Sequence, residues 1–174
     1  MKQHHGVTVA TITVATIIAA TTLAAPRINA HTNKPHLTNE KKTISTDVTP
    51  WGQQGDPKKV TRTINIRMTD NMRFKPDAIE IKAGETIKFV VKNNGKLMHE
   101  MVIGTKDELE KHAEMMKKHP NMEHDEPYMA HVAASQKASM VWNFSKPGLF
   151  KFACLIAGHF EAGMQGTIRV MPRP

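Results

Sequence analysis

FKFACLIAGHFEAGM, residues 150–164, contains Cys154, the only cysteine of the chain. Phe150 and Phe152 alternate with other residues up to the cysteine, the pattern of a strand with one buried face. Gly158 and Gly163 then permit tight turns, so the loop can fold back toward the strand end. His159 follows Cys154 after four intervening residues, and Met164 follows His159 after four more. Thiolate, imidazole and thioether are the ligands of a mononuclear copper site in which two histidines and a cysteine form a plane with a weak axial methionine. One histidine is missing from this loop. The candidate is His99, on an extended segment (Leu97 to Ile103) that follows the turn Asn93-Asn94-Gly95. Taken singly, a buried cysteine, a histidine or a methionine is usually a packing residue. Their spacing on one glycine-containing loop after a strand is what argues for metal. Zinc fits less well, because methionine is a poor ligand for it.

The strand pattern extends outward from this loop. Ile64, Ile66 and Met68 alternate with polar residues, then Ile79 and Ile81, then Ile87, Phe89 and Val91. Residues 140–144, 149–154 and 166–171 give three further strands. Short strands separated by turns imply an antiparallel sandwich or barrel. An insertion over about 105–138 interrupts them. Thr105-Lys-Asp-Glu108 reads as a capping box, residues 107–119 as a helix that Pro120 ends, and the remainder as a loop. The domain is expected to span 59–174.

The insertion is rich in soft ligands. Between Met98 and His131 lie six methionines and five histidines in 34 residues. On a helix, His112, Met115 or Met116, and His119 share a face; Met122 and His124 follow. Two readings stay open. The stripe packs on the sandwich, as methionine stripes usually do, or it forms a second, more labile Cu(I) site.

The N-terminal residues read as an export signal over 1–30. Lys2 and His4-His5 precede an uncharged apolar and threonine run from Val7 to Ala25, with cleavage expected after Ala25 or Ala30. After cleavage no stable membrane insertion is expected, and cleavage after Ala30 would place His31 at a chelating N-terminus. Residues 31–58, polar and punctuated by proline and glycine, read as a flexible linker. An exported chain with one cysteine has no disulfide framework. The net charge is +8. No nucleic-acid motif accompanies it and only nine residues are aromatic, so no nucleic-acid partner is expected.

Residues 60–171 resemble a cupredoxin. Cys154, His159 and Met164 match that family's C-terminal ligand loop and His99 its upstream histidine. Met98-His99-Glu100-Met101, the Met/His-rich insertion and Ala153-Cys154-Leu-Ile-Ala-Gly-His159 more narrowly resemble the periplasmic copper-tolerance cupredoxins of the CopI type. The resemblance implies an all-β Greek-key β-sandwich with one type 1-like copper. It also implies a periplasmic role in copper tolerance, by binding copper or handing it on to a protein partner. The competing reading is an electron carrier cycling Cu(II) and Cu(I). Enzyme activity is not expected, since the chain lacks the His-x-His pairs that multicopper oxidases use. One departure stands out. Electron-carrier cupredoxins commonly have asparagine after the first histidine, and Glu100 stands there, which puts the bonding between the two ligand loops in question.

Overall fold

The computed structural model describes residues 44–173 apart from 121 and 123. The expected export signal, His31 and residues 31–43 of the expected linker lie outside the described residues. The described residues form one compact unit.

Two sheets face each other across a single core. The first runs in the order β1 (Val48–Thr49), β2 (Gly52–Gln54), β9 (Lys137–Asn143), β6 (Thr86–Asn93), β3 (Arg62–Thr69), β4 (Arg73–Lys75). The second runs β5 (Ala78–Lys82), β11 (Gln165–Met171), β10 (Gly148–Ala153), β7 (His99–Gly104), β8 (Met129–Val132). Alternation explains which face of each strand is inside. Ile66 and Met68, Ile79 and Ile81, and Ile87, Phe89 and Val91 are buried, as a period of two requires. Phe74 and Phe152 meet edge to face between the sheets, with ring centroids 5.0 Å apart.

The sandwich expected from the alternation is present, but it is not wholly antiparallel. β3 pairs parallel with β6, and β5 parallel with β11. The chain leaves the first sheet after β4, contributes β5 to the second, and returns as β6. Such crossings between sheets set strands of equal direction side by side.

Two other expectations are corrected. The C-terminal part of the expected linker is sheet: β2 pairs with β9 at Gln53 and Gln54. Trp51 anchors it, being buried with its carbonyl accepting from Trp142 Nε1 at 3.0 Å. The loop expected to close the insertion contains β8, an edge strand paired with β7. Its four residues are too few to display a period.

The helix α1 (Lys106–Lys118) forms as expected. Thr105 Oγ1 caps it, accepting from the Glu108 N–H, and in turn donates to the Glu108 carboxylate at 2.9 Å. Leu109, Ala113 and Met116 form its buried face and pack on Val102, Met129, Ala153 and Leu155, on the outer side of the second sheet. All six residues of β7 are therefore buried, with Met101 and Ile103 in the sandwich core and Val102 under the helix. Among the described residues no helix is long and apolar enough to cross a membrane.

Candidate metal centre

β7 and β10 pair antiparallel, with Val102 opposite Ala153. That register carries His99, at the start of β7, to the segment just past β10. Cys154 is the first residue beyond the strand and its side chain belongs to the inner core. The loop then folds back as its glycines suggested: Gly158 and Gly163 have φ of 89° and 87°. Met164 N–H donates to the His159 carbonyl at 3.0 Å, and Cys154 N–H donates to the Met164 carbonyl at 3.0 Å. Arg73 clamps the loop from outside, donating to the Ala162 carbonyl at 2.9 Å.

One donor atom from each of His99, Cys154 and His159 lies within 4.8 Å of the others. His159 Nδ1 is 3.3 Å from Cys154 Sγ and 3.3 Å from His99 Nδ1. Donors bound to one metal at about 2.0–2.3 Å, with trigonal angles, stand roughly 3.5–3.8 Å apart. The donor set fits a copper ion with adjustments of a few tenths of an ångström. His99 and Cys154 are buried and His159 is half-buried, so of the three candidate ligands His159 is nearest solvent. Met164 is fully buried at the loop end.

The side chains around the ligands orient them. Asp70 Oδ1 accepts from His99 Nε2 at 3.1 Å, which leaves Nδ1 as the lone pair facing the site. Asp70 is itself held by the N–H groups of Lys96 and Leu97, at 2.7 and 3.3 Å. The Lys96 bond is the main reason its carboxyl lies below the usual carboxylate range. Gly95 leaves the room for this, since a Cβ there would lie 1.9 Å from Asp70 Oδ1. Asn93, buried, ties the turn to β8 by donating to the carbonyls of Leu97 and Val132 at 2.7 and 3.0 Å.

Glu100 resolves the question its position raised. Its backbone N–H donates to Cys154 Sγ at 3.4 Å, and its Oε1 accepts from the Leu155 N–H at 2.8 Å. The carboxylate therefore joins the His99 and Cys154 segments. Its other oxygen accepts from His131 Nε2 at 2.9 Å.

The electrostatics of the metal-free site follow from burial. Burial, with the Glu100 charge adding to it, pushes the Cys154 thiol up to about 12. Burial and then the His99 ring hold the His159 imidazole below its ordinary range. A neutral imidazole and a protonated thiol thus await a metal that must displace the proton.

Of the residues of the expected second site, His112, Met115 and His124 line one cleft, and Met116, His119 and Met122 lie apart from it. His112 and His124 stack with ring centroids 4.7 Å apart. Met115 lines the same cleft and is partly exposed. Met116 is buried in the layer between helix and sheet. His119 caps the helix end, its N–H donating to the Met115 carbonyl, and its side chain is exposed; Met122 is exposed as well. Sequence reasoning missed Asp70, Asn93 and Arg73, which carry no spacing signal. It also gave no weight to the sharing of His131 and Glu100.

A family model of copper-binding proteins, the plastocyanin/azurin family, matches residues 60–171. The chain is 48% identical over 122 residues to the copper-resistant cuproprotein CopI of Rubrivivax gelatinosus, covering 70% of this chain and 74% of that protein. It is 35% identical over 154 residues to the protein of the same name from Pseudomonas aeruginosa, covering 70% of this chain and 83% of that one. Among solved structures, auracyanin B superposes with a TM-score of 0.58 at 20% identity, over 70% of this chain and 96% of that one. Reduced auracyanin from Roseiflexus castenholzii does so with a TM-score of 0.56 at 20% identity, over 65% and 99%. At such identities the structural likeness speaks for the fold, and it agrees with the two-sheet architecture. A largely buried histidine–cysteine–histidine cluster on this sandwich, with the family model matching residues 60–171, leads to one conclusion: the chain belongs to the plastocyanin/azurin family of copper-binding proteins, the cupredoxins.

Proposed function

We propose that this cupredoxin is exported to the periplasm and protects the cell against copper, holding one ion through His99, Cys154 and His159 with Met164 as axial ligand. The observation that carries the reading is the convergence of His99, Cys154 and His159, two of them buried. It is supported by relatives whose names record copper resistance. Copper bound there supplies a one-electron change between Cu(II) and Cu(I). The protein's residues set its surroundings: Asp70 orients His99, Glu100 joins the two ligand segments, and His159 gives the site its outward edge. Through that edge copper is taken up or handed on to a partner protein.

A second reading, a dedicated electron carrier, draws on the same half-buried His159, since electrons also leave by the most exposed ligand. Growth separates the two. A strain lacking the gene, complemented with the wild type, recovers growth in elevated copper under the tolerance reading, and the Cys154→Ser variant does not. Full recovery with Cys154→Ser, at equal periplasmic abundance, refutes the role of this site in tolerance. N-terminal sequencing of the protein from the periplasmic fraction tests export and locates the cleavage.

A further inference from the structure

A second group of ligand-type side chains lies on the other side of Glu100 from the cysteine. Because β7 alternates, His99 faces the sandwich interior while Glu100 faces the layer under α1. There α1 supplies His112, the segment after the helix supplies His124, and β8 supplies His131. The His112 and His124 rings are 4.7 Å apart between centroids and tilted by 41°, and the His124 and His131 rings are 6.5 Å apart. His112 Nε2 and both ring nitrogens of His124 are buried and have no hydrogen-bond partner among the described residues. A cleft of about 420 Å³, lined also by Leu109, Met115 and Tyr128, opens beside them.

Packing does not account for this arrangement. Leu109, Ala113 and Met116 already cover the sheet, and a buried polar atom without a partner is destabilising wherever it occurs. Two imidazoles brought together with unsatisfied nitrogens resemble a site awaiting a cation that accepts nitrogen lone pairs. Burial, and next the neighbouring His124, hold His112 below its ordinary range, which keeps that lone pair available, while the Glu100 charge acts in the opposite direction.

We propose that His112 and His124 are the ligands of a second metal site, beside the Glu100–His131 pair. Imidazole is a borderline ligand, and a first-row divalent ion suits it; Cu(II) stands highest in the order of affinities. Of the methionines only Met115 lines the cleft, since Met116 packs between helix and sheet and Met122 is exposed. The site therefore differs in metal oxidation state from a methionine-built Cu(I) site. Glu100 is common to both centres, through its N–H on Cys154 Sγ and its carboxylate on His131. The inference does not depend on the tolerance reading, since metal binding is tested on the purified protein.

The full chain after export, loaded with one copper at Cys154, is titrated anaerobically with Cu(II) and followed by calorimetry and electron paramagnetic resonance. The expected result is a second ion with nitrogen hyperfine structure and no added thiolate absorption. Its affinity falls at least about a hundredfold, on the scale of losing metal ligands, in the double variant His112→Ala, His124→Ala. The thiolate absorption of the first copper persists in that variant. If it folds poorly, His112→Gln with His124→Gln fills the space without imidazole and gives the same loss. Zn(II) added to the copper-loaded wild type shifts the thiolate band through Glu100, and the double variant shows no shift. The proposal is overturned if the wild type takes up no second ion, or if wild type and both double variants bind it equally, which assigns it to other histidines. Uptake of Cu(I) alone at this stage also overturns it.

Discussion

Copper binding should expel one proton from Cys154, and this is measurable. The thiol rises from an ordinary value of 9.0 to about 12, chiefly through burial. That is a factor of about a thousand in ionisation, on the order of 4 kcal/mol. Between pH 7.5 and 9 the metal-free thiol is protonated and the copper-bound sulfur is not, so apparent affinity rises about tenfold, or ~1.4 kcal/mol, per pH unit. His159 adds little slope, because its imidazole is held below its ordinary range and is already neutral in this window. The assay is anaerobic competition for Cu(I) against a chromogenic chelator of known protonation, repeated across the window. Calorimetry in buffers of different ionisation heat then counts the proton directly. A flat affinity, or a release well under half a proton per copper, refutes the reasoning, since the thiol would already be ionised. The same shift has a sign for the metal-free fold. The native state holds this proton more tightly than the unfolded chain, so the thiol's contribution to stability is full below about pH 9. It is lost as pH climbs toward 12.

Three further outcomes follow from the geometry. Met164→Leu keeps copper bound and raises the reduction potential in voltammetry, because a weak axial donor is lost; an unchanged potential removes Met164 from the coordination. Asp70→Ala frees the His99 ring and weakens copper binding about 10- to 100-fold in the same chelator assay, whereas unchanged affinity means the ring is held by packing alone. Met116→Ala lowers stability to denaturant by about 2 kcal/mol and leaves copper stoichiometry unaltered; loss of a metal ion would make Met116 a ligand.

Residues with both a chemical type and a spacing were legible before the fold was known. Cys154, His159 and the two turn glycines, Gly158 and Gly163, are of this kind, and so are the strands of alternating Ile, Phe and Val. His99 needed more, because only the pairing of β7 with β10 brings it to the loop. Asp70 was invisible: it lies in a turn, and its role depends on the approach of Lys96 and Leu97 across the sheet edge. β2 was hidden because Trp51 is an isolated apolar residue with no alternating partner on β2, buried beside Trp142, whose Nε1 donates to its carbonyl. In the Met/His insertion, helical spacing put Met115 and Met116 on one footing. The fold separates them, since a helix turns about 100° per residue and the sheet covers one stripe only.

The two imidazoles of the candidate copper centre, His99 and His159, stand sixty residues apart in sequence. The intervening chain forms the rest of β7, a helix and the strands β8 to β10, so the cage exists only once β7 and β10 have paired in the second sheet. The interior of Phe74, Phe89, Trp142 and Phe152 needs no ion to hold together. A protein built in this order can be emptied and refilled without being unmade. Under the proposed function its lifetime is then set by the sandwich, and bound copper turns over within it.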